Sequence, residues 1–240
     1  MRTTSITIAL IILCTFLSSC YKETIRASGE ITREQVNFTG YTGLRVSNAF
    51  NVYVNFSDTE ENITVEANED IQHYIVVEKD GNDLVVRLKR FTNIRGNATL
   101  NVYITTKNIN YFDISGASNI SLESNLVASS AVLDLSGASN FSGEVTVDRL
   151  DLESHGASNI DLYGQVGQMD VALSGSSELR NFDLSVQRLD IELSGASDAF
   201  LSVITSIDID ASGASSLTYQ GDAVINSKRM SGASQLIKRE

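Results

Sequence analysis

Ser115-Gly116-Ala117-Ser118 is the first of seven tetrapeptides built around a glycine, which returns at Gly137, Gly156, Gly175, Gly195, Gly213 and Gly232. Five copies read SGAS; His155 stands for the first Ser in one, and Ser176 for the Ala in another. Successive glycines lie 21, 19, 19, 20, 18 and 19 residues apart. A period near 19 held over half the chain is the mark of a solenoid in which each repeat is one rung.

Aligned on its glycine, each rung shows a side-chain code. Six, four and two residues before it stand apolar groups, as in Met169, Val171 and Leu173 or Leu189, Ile191 and Leu193. Polar residues, chiefly acids, alternate with them: Asp151 and Glu153, Asp190 and Glu192, Asp208 and Asp210. Strict period-2 alternation is a strand with one buried face. Four residues after the glycine another apolar group follows, among them Ile120, Phe141, Ile160, Leu179, Leu217 and Leu236. The glycine therefore marks a corner between two short strands, where the lack of a Cβ permits a tight bend. Stacked in parallel at about 4.8 Å, seven rungs make a rod about 34 Å long, coiled right-handed as parallel crossovers are. The flanking serines become hydroxyl ladders that satisfy one another and the turn backbone.

The chain has 240 residues, room for a real core. It opens with an apolar run from Ile6 to Phe16 behind Arg2, too short to span a membrane but suited to a signal peptide. The run ends in Leu17-Ser18-Ser19-Cys20, which resembles a bacterial lipobox and implies that Cys20 is lipidated and becomes the first mature residue. Residues 1–19 then form a lipoprotein signal peptide, and Cys14 is removed with it. The mature chain keeps no free thiol, disulfide or Cys-based metal site. Residues 20–35 are polar, lack a period and read as a tether. Residues 36–110 read as an N-terminal β-rich region without the glycine repeat, continuous with the SGAS solenoid of 111–240 and covering its first rung. Within it, Asp80-Gly81-Asn82-Asp83 is a hairpin turn. At the other end Lys228, Arg229 and Met230 replace the usual strand residues, which reads as a basic terminal cap, open to fraying. Proline is absent, as suits ladders that need every backbone donor.

Residues 1–110 carry 11 basic and 12 acidic groups, and residues 111–240 carry 7 and 18. A solenoid this acidic repels nucleic acid and anionic membrane surfaces. Its acids fall in columns: Asp151, Asp170, Asp190 and Asp208 five residues before the glycine, and Asp113, Asp134, Glu153, Glu192 and Asp210 three before it, interrupted by Ala172. Clustered carboxylates suit hard divalent ions, but no loop matches a calcium-binding motif, and a solvated, salt-screened face is the expectation. A serine nucleophile needs a base, and the chain has only His73 and His155. His155 is expected to fill a corner, and His73 has no companion at metal-ligand spacing. No catalytic, cofactor-binding or metal residue is assigned. Tyr53 and Tyr103 point away from the apolar faces of their strands, either packed beneath a loop or offered as stacking platforms.

The SGAS corners followed by Asn-Ile, as at Ser115 to Ile120, and the strand-rich region before them resemble the head GIN domain family, described as putative autotransporter adhesins. The resemblance covers about residues 36–225. It implies an all-β, single-stranded right-handed parallel β-helix and a secreted or lipidated envelope protein. The expectation is an adhesion or binding module without enzymatic activity, anchored by its lipid in the cell envelope at the outer membrane. Its ligand would be an envelope component, a glycan or a protein. The competing classes are a polysaccharide-cleaving β-helix, with a carboxylate pair such as Asp190 and Glu192, and a purely structural envelope protein.

Overall fold

The computed structural model describes residues 23–240. The expected signal peptide and Cys20 lie outside them. Among the described residues, strands β1 (Glu23–Arg26) to β19 (Gln235–Lys238) are accompanied by one short helix, α1 (Glu69–Gln72). The expected solenoid is present. From β12 (Leu126–Gly137) onward, β13 (Asn140–Gly156), β14 (Asn159–Gly175), β15 (Glu178–Leu193) and β16 (Asp198–Ala211) each wrap most of a rung, paired in parallel with the next.

Register follows the glycines, with Gly137 opposite Gly156 and Gly156 opposite Gly175. Every pre-glycine apolar position therefore stacks on its counterpart: Leu133, Leu152, Val171, Ile191 and Ile209 form one fully packed column. Phe112 and Phe141 meet edge to face at 5.1 Å in the same interior. A one-residue slip would turn these columns outward, so burial itself fixes the register.

The solenoid begins earlier than the glycine repeat. Strands β3 (Gly43–Val46) and β4 (Asn51–Phe56) pair in parallel with β10 (Tyr111–Ile114) and β11 (Asn119–Leu122), and so form a rung. Its corner is turned without glycine: Asn48 and Ala49 take φ of 74° and 68°, and the Asn48 Oδ1 accepts from the Leu88 amide at 3.1 Å. A further rung, β7 (Asp83–Leu88) with β9 (Leu100–Thr106), lies on the far side of β3 and β4. The chain thus lays down one rung, runs out to build the terminal one, and passes back to continue from β10.

The terminal rung is covered by antiparallel strands. β6 (Ile75–Asp80) pairs with β7 through the expected hairpin, where Gly81 has φ 61°. β5 (Asn62–Asn68) pairs with β9, and β2 (Ile31–Val36) with β5. Ile71 of α1 is fully buried against this cap.

Two expectations need correction. Residues 20–35 are not a tether over the described part, because β1 pairs with β8 (Thr92–Arg95) and β2 runs antiparallel to β5 from Ile31 opposite Asn68 to Val36 opposite Ile63. β2 escapes notice because it has no apolar face of its own; polar contacts help hold it, with Arg33 on Glu66 of β5 at 2.6 Å and Gln72 of α1 donating to the Thr32 carbonyl at 3.0 Å. Nor is the last rung frayed. β18 (Val224–Met230) and β19 pair in parallel with β16 and β17 (Ser216–Gln220), although Ile225, Met230 and Leu236 are only half-buried at the open end.

Candidate binding surfaces

The corners explain the tetrapeptide residue by residue. The last Ser is buried in six of the seven units and half-buried at Ser234, and in all but the Ser158 unit its Oγ donates to the carbonyl of the first position three residues back: Ser118 to Ser115 at 3.0 Å, Ser139 to Ser136 at 2.8 Å, Ser197 to Ser194 at 2.9 Å. From Ala138 onward, the residue after each glycine donates its amide to the glycine carbonyl of the rung before, as Ala157 does to Gly137 and Ala196 to Gly175, both at 2.7 Å. These serines are structural, as the spacing implied.

One rung breaks the rule. Ser154 occupies a core position filled by Leu135 and Leu173 in the adjoining rungs, and its Oγ donates to Ser177 at 3.0 Å. The buried Ser158 hydroxyl has no partner. His155 is exposed at the corner, with Nδ1 2.7 Å from the Ser174 Oγ. It fills a corner beside a neighbouring serine. No carboxylate hydrogen-bonds its ring among the described residues. His73 is exposed, its ring 3.8 Å from that of Tyr74.

The acidic columns stand in the expected register. Asp151, Asp170, Asp190 and Asp208 are consecutive partners. Asp113, Asp134 and Glu153 form the other column, which resumes after Ala172 with Glu192 and Asp210. Arginines relieve the repulsion: Arg149 bridges Asp151 and Asp170, Arg45 lies 4.0 Å from Asp113, and Arg229 reaches Asp210 at 3.1 Å. Two carboxyls are held above the usual aspartate range. For Asp190 burial is the first cause, with Asp170 and Asp208 adding to it; for Asp113 burial leads, followed by Asp134. Ala172 leaves a shallow open depression bordered by Glu153, Asp170, Asp190 and Glu192. Among the described residues no three His, Cys, Asp or Glu side chains are placed to hold a metal ion.

The post-glycine face carries a feature that sequence reading missed. Asn101, Asn51, Asn119, Asn140 and Asn159 form an amide ladder, each side chain donating to the one before it: Asn51 to Asn101 at 3.1 Å, Asn119 to Asn51 at 2.7 Å, Asn140 to Asn119 at 2.6 Å, Asn159 to Asn140 at 2.9 Å. Asn101 ends it on the Glu66 carboxylate at 2.9 Å. That hydrogen bond, and then the one from Arg33, hold the Glu66 carboxyl below the usual range. The signal was the Asn that follows three of the SGAS-type units; its extension to Asn51 and Asn101 required the rung order. Tyr53 and Tyr103 continue the pattern two residues on, stacked at 5.1 Å with planes 14° apart. Tyr103 donates to Glu66 at 3.2 Å, and the Arg33 guanidinium lies 5.8 Å from its ring. They pack on each other and against the cap, half-buried, and are not free platforms.

No helix among the described residues is long and apolar enough to cross a membrane. No curated protein matches the chain in sequence. The fold is similar to that of a "putative adhesin" of Bacteroides fragilis, with TM-score 0.81 and 18% identity over 89% of this chain and 97% of that one. It is also similar to a "putative adhesin" of Parabacteroides distasonis, with TM-score 0.73 and 16% identity over 90% and 100%. A "putative lipid binding protein" of the same species gives TM-score 0.71 and 18% identity over 91% and 100%. The profile of one family matches residues 40–223, from just before the first rung to the start of the last. The chain belongs to that family, "putative auto-transporter adhesin, head GIN domain".

Proposed function

We propose that this protein is a non-enzymatic adhesion module, held in the cell envelope at the outer membrane by a lipid on Cys20. The observation that carries the reading is the columnar surface. Acids on one face and amides on the other recur rung after rung, giving broad flat faces of the kind repeat proteins use to bind other macromolecules. The family description supports adhesion. A polysaccharide-cleaving alternative would need one carboxylate pair set apart from its column. Asp190 has a raised carboxyl, but it shares the flat face with equivalent neighbours.

Incubating the purified protein with envelope and host glycans separates the readings. Binding without product release is expected, unchanged in kind when Asp190→Asn and Glu192→Gln are combined. Release of product by the wild type, abolished in that double variant, would establish the enzymatic reading instead.

A further inference from the structure

At the terminal rung the corner column opens out. Where the corners of other rungs leave two to four residues between strands, β7 and β9 are joined by residues 89–99, which carry β8. Phe91 lies at the start of this excursion and is 60% exposed, whereas the core residues Phe50, Phe112 and Phe141 are at most 1% exposed. Its φ is 65°, a region that a bulky aromatic residue enters only under strain. The stretch that carries it is basic, although Glu23 of β1 stands in register with Thr92. Residues 87–95 hold Arg87, Lys89, Arg90 and Arg95 and no acid. Arg87 is paired with Glu78 at 2.8 Å, while Arg90 and Arg95 form no salt bridge among the described residues and are exposed. Arg26 of β1 adds a further exposed cation opposite Arg95.

The same edge receives the N-terminal chain. β1 lies parallel to β8 with Glu23 opposite Thr92, so the described chain begins one position from Phe91. Cys20 is three residues earlier, and three residues span at most about 11 Å. An acylated Cys20 therefore brings this edge to the bilayer surface. An exposed aromatic among cations is the composition that suits the interface, with ring at the acyl boundary and charges at anionic headgroups.

We infer that the edge formed by Phe91, Arg90, Arg95 and Arg26 is a membrane-contact surface that seats the solenoid on an anionic bilayer. This rests on the lipid anchor at Cys20 proposed above. The acidic repulsion of the solenoid is compatible with it, because the nine-residue basic stretch lies in the terminal rung, outside the acidic columns.

The chain has no tryptophan, so Phe91→Trp reports on this edge alone. The full acylated protein, with its far-UV spectrum checked against the wild type, would be reconstituted in phosphatidylethanolamine–phosphatidylglycerol vesicles bearing brominated acyl chains. Val224→Trp, exposed in the last rung, serves as the distant probe. Blue-shifted, quenched emission from Phe91→Trp and unquenched emission from Val224→Trp are expected. Adding Arg90→Ser and Arg95→Ser should reduce the quenching, and quenching indifferent to them would overturn the electrostatic part. Unquenched emission at both positions in protein that floats with the vesicles, or equal quenching at both, would overturn the surface itself. Protein that neither floats nor carries an acyl mass on Cys20 would show that the anchor reading has failed, and the inference with it.

Discussion

A Cβ placed on Gly195 would sit 2.5 Å from the carbonyl oxygen of Gly175 one rung below, and φ at Gly195 is 74°. The glycine is thus required twice, for its conformation and for the closeness with which the corners stack. Adding a methyl there combines left-handed strain of about 1–2 kcal/mol with overpacking of about 1–3 kcal/mol. Gly195→Ala should lower unfolding stability by about 2–5 kcal/mol in urea titration. Gly29→Ala, at φ 82° with nothing within 4 Å, should lose about 1 kcal/mol. Equal losses at the two sites would show that corner stacking contributes nothing.

Ser197 and Ser158 occupy the same corner position, yet only Ser197 has a partner. Ser197→Ala should cost about 1 kcal/mol, the net worth of a hydrogen bond that also leaves the Ser194 carbonyl short. Ser158→Ala removes a buried hydroxyl that donates to nothing and should be neutral or stabilising. Urea midpoints of the two variants provide the comparison.

Asp190 and Glu66 should give opposite pH responses. The folded chain holds the proton on Asp190 more tightly than the unfolded chain does, so its ionised form opposes folding at neutral pH. That penalty is relieved as pH falls through the raised value. Asp190→Asn should therefore stabilise by a few tenths of a kcal/mol at pH 7 and be neutral near pH 3. Glu66 is lowered, so its stabilisation is present above the ordinary carboxylate range and is lost as pH falls. Glu66→Gln should destabilise at pH 7 and lose its effect in acid.

If the acidic columns are a solvated face, calcium and sodium at equal ionic strength should raise the melting temperature equally, because screening depends on ionic strength alone. A calcium shift well beyond the sodium shift would mean specific binding by mass action.

The rungs from Tyr111 onward were legible because one corner chemistry recurs, and a glycine at fixed period aligns both strands beside it. The rung at β3 and β4 was not, because Asn48 and Ala49 turn its corner without glycine. Rung order was hidden as well: that β7 and β9 stack beyond β3 and β4 depends on long-range pairing, which local pattern does not encode. The asparagine ladder needed that order before Asn51 and Asn101 could be set beside Asn119. The basic stretch around Phe91 vanished for a different reason. Averaged over residues 1–110 its four cations disappear into a balance of 11 against 12, and only the pairing of β1 with β8 shows that they flank the N-terminal chain.

Anchorage is the claim on which the functional account turns, and the mass of the mature N-terminal peptide tests it most directly. Purified from membranes and digested, the protein should yield a peptide beginning at Cys20 with the added mass of acyl chains. The Cys20→Ser variant should lack that peptide and leave the detergent phase. An unmodified N-terminus at any position, or detergent partitioning unchanged by Cys20→Ser, would contradict the account.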